Sequence, residues 1–199
     1  MRLDKRMLAL PILLTTALSM IGFAYAHWSE SIFINGTVNM GSLTVVFSTY
    51  EPPMCWDKDD LTKDVAETTC WYDNLVTDPH TSKEGYTKMW VVISNGYPSY
   101  WVHCTFILQN IGTIPAMIDS LVFSDPEGKL TWVSVTSNSG YFVDGAGKPI
   151  INIEVVNNVP YQLDPCSKNK MEIDIDLKQD ALECHTYHFE VGIVYEQWN

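Results

Sequence analysis

Basic side chains are scarce in this 199-residue chain: 12 Lys and Arg stand against 24 Asp and Glu, for a formal net charge of −12. That balance argues against a nucleic-acid partner, because phosphate recognition needs a basic patch. None of the five cysteines forms a C-x-x-C pair, so a structural zinc site lacks its usual spacing. The H-E-x-x-H motif of zincins and the G-x-S-x-G nucleophile elbow are both missing, and catalysis has no positive support. The D-x-D-G spacing of an EF-hand loop is absent as well. There is no repeat of fixed period, no low-complexity tract and no linker long enough to divide the chain, which implies one domain.

The longest hydrophobic run is at the start. Arg2, Lys5 and Arg6 precede an uncharged stretch from Met7 to Phe23, and Ala24-Tyr25-Ala26 has the small-x-small pattern read by signal peptidase. Residues 1–26 are expected to be a signal peptide, with the mature domain spanning 27–199 and starting near His27. The run of about 20 residues would also span a bilayer as a helix, so an uncleaved anchor is the rival reading. Cleavage is favoured because strand-like polar sequence follows the site directly. Removing three basic residues and one acidic one takes the net charge from −12 to −14. The protein is expected to be secreted, extracellular or at the cell surface, touching membrane only transiently through the signal peptide.

What is abundant is period-two alternation. The segments 42–50, 87–95, 100–110, 116–124, 129–137, 171–177 and 186–198 are short, rich in β-branched and aromatic residues, and separated by Gly, Pro, Asn and Asp. They predict an all-β, antiparallel sandwich or barrel. In 171–177, Met171, Ile173, Ile175 and Leu177 share one face, and Glu172, Asp174 and Asp176 the other. In the last strand, Tyr187, Phe189, Val191, Ile193 and Tyr195 fall on one side, which predicts a central, deeply packed strand. Only 57–68 offers a helix, inside a loop excursion over residues 55–70.

Five cysteines in an exported chain imply two disulfides and one leftover thiol. The expected pairs are Cys55 with Cys70, bracketing a polar loop, and Cys166 with Cys184, bracketing a strand pair. Cys104 alternates with Val102, Phe106 and Leu108 and reads as a buried thiol. Two carboxylate groups invite calcium: Asp57, Asp59 and Asp60 in the loop, and Glu172, Asp174 and Asp176 on the strand. The plainer reading is a solvated acidic face. His185 and His188 lie three apart and face opposite sides of a regular strand, so they chelate one ion only across a bulge. Asn35-Gly36-Thr37 is either a glycosylation acceptor or an Asn-Gly turn.

Three blocks, "HWSESIFINGTVNMGSLTV" (27–45), "NGYPSYWVHCTFILQNIGTIPA" (95–116) and "YHFEVGIVYEQWN" (187–199), resemble the TasA/camelysin family of secreted fibre proteins and the related archaeal bundling pilins. The resemblance implies a jelly-roll sandwich and assembly by donor-strand complementation, in which the first strand of one subunit completes a sheet of the next. The implied partners are other copies of the chain in a head-to-tail polymer. The implied donor strand is His27, Trp28, Ser29, Glu30, Ser31, Ile32, Phe33 and Ile34, about 26 Å when extended. The alternatives are a monomeric secreted or surface-anchored binding module, whose first strand folds back into its own sheet, and a camelysin-like metallopeptidase.

Overall fold

Alternating sequence becomes alternating burial over most of the chain. The computed structural model describes residues 13–19, 41–57, 65–157 and 159–198. The cleavage site, the expected donor strand from His27 to Ile34, Asn35, Asp59 and Asp60 lie outside these residues. The chain divides into two units, Met1–Asn39 and Met40–Asn199. In the first, the described residues form a short helix over 13–19. Among the described residues no helix is long and apolar enough to cross a membrane.

The second unit is an antiparallel, curled, sandwich-like sheet structure. Its strands are β1 (Val45–Ser48), β2 (Met54–Asp57), β3 (Glu67–Thr77), β4 (Glu84–Gly96), β5 (Trp101–Asn110), β6 (Ala116–Ser124), β7 (Thr131–Thr136), β8 (Ser139–Val143), β9 (Pro149–Val155), β10 (Tyr161–Leu163), β11 (Lys168–Leu177) and β12 (His185–Gln197). They follow the order β10-β6-β12-β4-β1-β5-β11-β9-β8-β7, with β2 added to β5 and β3 to β4. Short β1 is the corner: it pairs with the start of β4 and the end of β5, and so joins the two halves of the sheet.

The apolar faces of the halves meet in one core. Met171, Ile173, Ile175 and Leu177 of β11 are fully buried, as the alternation predicts, and so are Met89, Val91 and Ile93 of β4. β12 lies between β4 and β6, with Tyr187, Phe189 and Val191 buried and Ile193 and Tyr195 half-buried against the core. Phe142 of β8 packs on Phe189 of β12 at 5.7 Å between ring centroids, and Phe47 of β1 on Phe106 of β5 at 5.5 Å. Each such ring removes a large apolar area from water, so these contacts hold the halves together more strongly than any surface pair.

Three sequence expectations need correction. Cys55 is bonded to Cys104, not to Cys70. The two sit directly opposite each other on β2 and β5, with Cα atoms 4.0 Å apart, whereas Cys70 lies on β3, whose ladder partner is β4. Closing a loop of this length contributes about 4 kcal/mol in the chain-entropy picture. Cys104 is therefore buried as expected but is not a thiol.

Cys166 and Cys184 are free and exposed, because β11 runs its full length between them. Ten residues of strand extend roughly 33 Å, far beyond the reach of a disulfide. Finally, the loop excursion holds strand rather than helix at the residues described: Asp57 ends β2, and Glu67 and Thr68 begin β3.

Candidate assembly edge and acidic face

Main-chain pairing along β12 changes partners midway. From His185 to Val191 the strand pairs with β4, and from Glu190 to Gln197 with β6. Beyond Val191↔Met89, β4 no longer runs beside β12, because β1 takes its edge at Tyr86 and Gly85. Among the described residues, no strand pairs with the β4-facing edge of β12 from Gly192 to Gln197. Along this edge Ile193, Val194 and Tyr195 are apolar, and Glu196 and Gln197 are polar and exposed. Ile193 and Tyr195 are only partly covered, while Val194 is 41% and Trp198 42% exposed. An open ladder beside half-covered apolar side chains is the arrangement that strand addition satisfies.

The corner beside this edge is held by buried polar side chains. Asn110 Nδ2 donates to the carbonyls of Ile114 and Leu163 at 2.8 and 2.9 Å, and its Oδ1 accepts the Gly112 N–H at 2.9 Å. The Ile111 N–H donates to Thr44 O, and the Thr113 N–H to Ser42 O. This turn, part of the block 95–116, fixes where the chain enters the domain at Ser42. Asp78 completes the corner by accepting the Thr44 hydroxyl at 2.7 Å.

The acidic face is real but more neutralised than its sequence implies. Glu172, Asp174 and Asp176 project from β11 opposite the core. Asp174 lies 2.6 Å from His103 Nδ1, Glu172 3.0 Å from Lys170 and Asp176 2.6 Å from Lys178. Trp56 packs on His103 at 4.8 Å. The β9–β11 ladder places Glu154 opposite Asp174 and Asn152 opposite Asp176. With Ser99 and Trp101 these residues line an open groove of about 390 Å³.

Asp57 does not join this set. It pairs in register with Val102, whose side chain is buried, while Asp174 and Asp176 pair with the outward-facing His103 and Trp101. Its carboxylate instead accepts the Tyr100 hydroxyl. Burial, and then that carboxylate, push the Tyr100 hydroxyl above its ordinary range. Asp57 thus lies on the opposite face of the sheet from Glu172, Asp174 and Asp176. Among the described residues no group of three or more His, Cys, Asp or Glu is arranged to hold a metal ion.

The bulge that chelation by the two histidines would need does occur, between His185 and Tyr187. Yet His185 meets Tyr187 edge to face at 4.8 Å between ring centroids, and His188 approaches Glu127 at 4.0 Å. Trp101 and His103 on β5, and Asn152 and Glu154 on β9, escaped sequence reading because only cross-strand register brings both pairs beside β11.

Compared with family models, curated proteins and solved structures, the chain matches none of them.

Proposed function

We propose that the mature chain is the structural subunit of an extracellular filament, a pilus or biofilm-matrix fibre, assembled by donor-strand complementation within a jelly-roll sandwich. The observation that carries this reading is the open edge of β12 from Gly192 to Gln197, with its half-covered Ile193 and Tyr195. The strand-forming sequence from His27 to Ile34 supplies the complement, since its main-chain groups need a ladder and its Trp28, Ile32 and Phe33 can cover apolar side chains. Because the donor belongs to one end of the sequence and the acceptor to the other, the contact is heterologous and propagates.

Divalent cations enter this reading as bridges between subunits rather than as a folded site, because the β11 carboxylates already hold Lys or His partners.

A variant lacking His27 to Ile34 tests the reading. It is expected to form no filaments in negative-stain micrographs while remaining β-rich and less stable. The free peptide of that sequence should raise its melting temperature and cap growth of the full-length protein. Wild-type protein that stays monomeric at high concentration, with a truncated form just as stable, would make the chain a monomeric binding module instead.

A further inference from the structure

A disulfide and a thiol face each other where the two halves of the sheet meet at β2 and β3. Cys55 and Cys104 are directly opposite on β2 and β5, and Cys104 is fully buried, so their bond points inward. Cys70 of β3 is directly opposite Val91 of β4, which is also fully buried, so this thiol points inward from the other half. The side chains two residues to either side fix its level. The Thr68 hydroxyl meets the Tyr100 hydroxyl at 3.1 Å, one residue before β5 begins, and the Tyr72 hydroxyl accepts the Ile107 N–H of β5 at 3.4 Å. Cys70 is midway between Thr68 and Tyr72, as Cys104 is between Tyr100 and Ile107. The Cys55 main-chain N–H closes the contact by donating toward the Cys70 sulfur.

The same contact selects which sulfur of the disulfide Cys70 reaches. Cys104 is fully buried beneath the sheet, whereas Cys55 is only partly covered and its main chain lies against Cys70. A cleft of about 260 Å³ lined by Pro52, Pro53, Cys70, Tyr72 and Tyr86 opens beside the thiol.

We propose that Cys55, Cys70 and Cys104 form an internal thiol–disulfide exchange site, in which Cys70 takes over Cys55 and releases Cys104. The Cys70 thiolate attacks the Cys55 sulfur; a Cys55–Cys70 bond forms as Cys55–Cys104 breaks, and the electron pair leaves on Cys104, which takes up the proton that Cys70 gave up. Two electrons change partners within the protein and none is lost, so the step consumes no oxidant. The bond moves from β2–β5, within one half of the sheet, to β2–β3, across the two halves. Released Cys104 packs as a small apolar side chain in the core it already occupies. The exchange belongs to the folded domain and is independent of the filament reading.

Burial pushes Cys70 up to about 11, against the smaller effect of the Cys55 N–H. The ionisable groups around it are Tyr72 on its own strand, Tyr86 of β4 and Glu51 ahead of β2, with Asp57 and Tyr100 beside Thr68; none carries a positive charge. Exchange is therefore slow at neutral pH and follows the thiolate fraction, which rises about tenfold per pH unit below that value.

The test uses the full-length chain with Cys166→Ser and Cys184→Ser, so that no exposed thiol carries exchange between molecules. The protein is held without air, oxidant or reductant at pH 7, 8 and 9, quenched in acid, alkylated with N-ethylmaleimide in acidic denaturant and cut with pepsin for disulfide mapping. A Cys55–Cys70 peptide pair should grow with time, matched by alkylated Cys104, at a rate rising roughly tenfold per pH unit. Cys104 stays under the sheet in both states, so its thiol is reached only in the denaturant. Cys70→Ser in the same background should keep Cys55–Cys104 at every pH. Cys55–Cys104 as the sole bond at pH 9, or a Cys70–Cys104 pair in place of Cys55–Cys70, would overturn the proposal. So would a Cys55–Cys70 pair that forms only in urea, which would place the exchange in the unfolded chain.

A second variant removes rate from the question. Cys104→Ala in the same background leaves two thiols, and glutathione disulfide should join Cys55 to Cys70 with release of two glutathione thiols, raising the melting temperature above that of the reduced form. If Cys55 and Cys70 instead each carry a glutathione in a variant that still melts cooperatively, the two sulfurs do not meet in the fold and the proposal fails.

Discussion

Asp78 is 1% exposed, yet its environment favours the charged form. Burial alone would raise its pKa. Hydrogen bonds from the Thr44 hydroxyl and from the Thr81 and His80 N–H groups outweigh that and hold the carboxyl well below the usual range. A depressed folded pKa contributes stability above the ordinary carboxylate value of about 4, and this stability is lost as pH falls toward the folded value. Asp78→Asn should therefore cost about 1–3 kcal/mol at neutral pH. In urea melts, the gap from wild type should narrow steadily below about pH 4. A gap independent of pH would mean the loss is one of shape rather than charge. Among the thiols, burial pushes Cys70 up to about 11 despite a bond from the Cys55 main chain, whereas Cys166 and Cys184 are exposed. Iodoacetamide at pH 8 should label those two at least about tenfold faster than Cys70, by peptide mass mapping, with Cys55 and Cys104 protected until reduced. Equal labelling of Cys70 would contradict its packing.

At the scale of elements, the corner between β1 and β5 brings main chain close against main chain. A Cβ on Gly112 would stand 2.4 Å from the Ser42 carbonyl oxygen and 2.8 Å from the Thr44 nitrogen, and neither can move without breaking the hydrogen bonds of Ile111 and Thr113. Gly112→Ala should lower stability by about 1–3 kcal/mol in thermal unfolding. Because this corner carries the chain into the domain, the same change should also reduce filament yield under the proposed assembly. Most strands were legible in sequence, since β11 and β12 repeat apolar residues every second position and bury that set. β3 was not. Its residues are exposed or half-buried throughout, and Asn74 interrupts it at φ 60°. It is held by its main-chain ladder to β4 and by the stacking of Trp71 on Trp90, neither of which leaves a periodic apolar signature.

At the scale of the molecule, charge opposes association. At −12 for the full sequence, or −14 without residues 1–26, the chain repels its copies unless ions screen or bridge them. Raising monovalent salt should lengthen filaments. Adding a chelator at constant ionic strength should shorten them while leaving the melting temperature of the monomeric truncated form unchanged, because its strand carboxylates are already paired within the fold. A fall in that melting temperature would instead place a bound cation inside the domain.

The identity and inward face of the strongest strands followed from sequence alone. Met171 to Leu177 and Tyr187 to Tyr195 show why: side-chain direction in a strand has a period of two, and that period is local. Which cysteine meets which, which acid faces a histidine and where a ladder is left open were decided by tertiary structure. Cys55 lies 49 residues from its partner and 15 from the cysteine that sequence proximity favoured. His103 and Asp174 meet only because β5 and β11 are neighbours, and the edge of Gly192 to Gln197 opens only because β1 displaces β12 from β4. Each of these depends on which strand lies beside which, a choice set by how the whole core closes and carried by no short stretch of the chain.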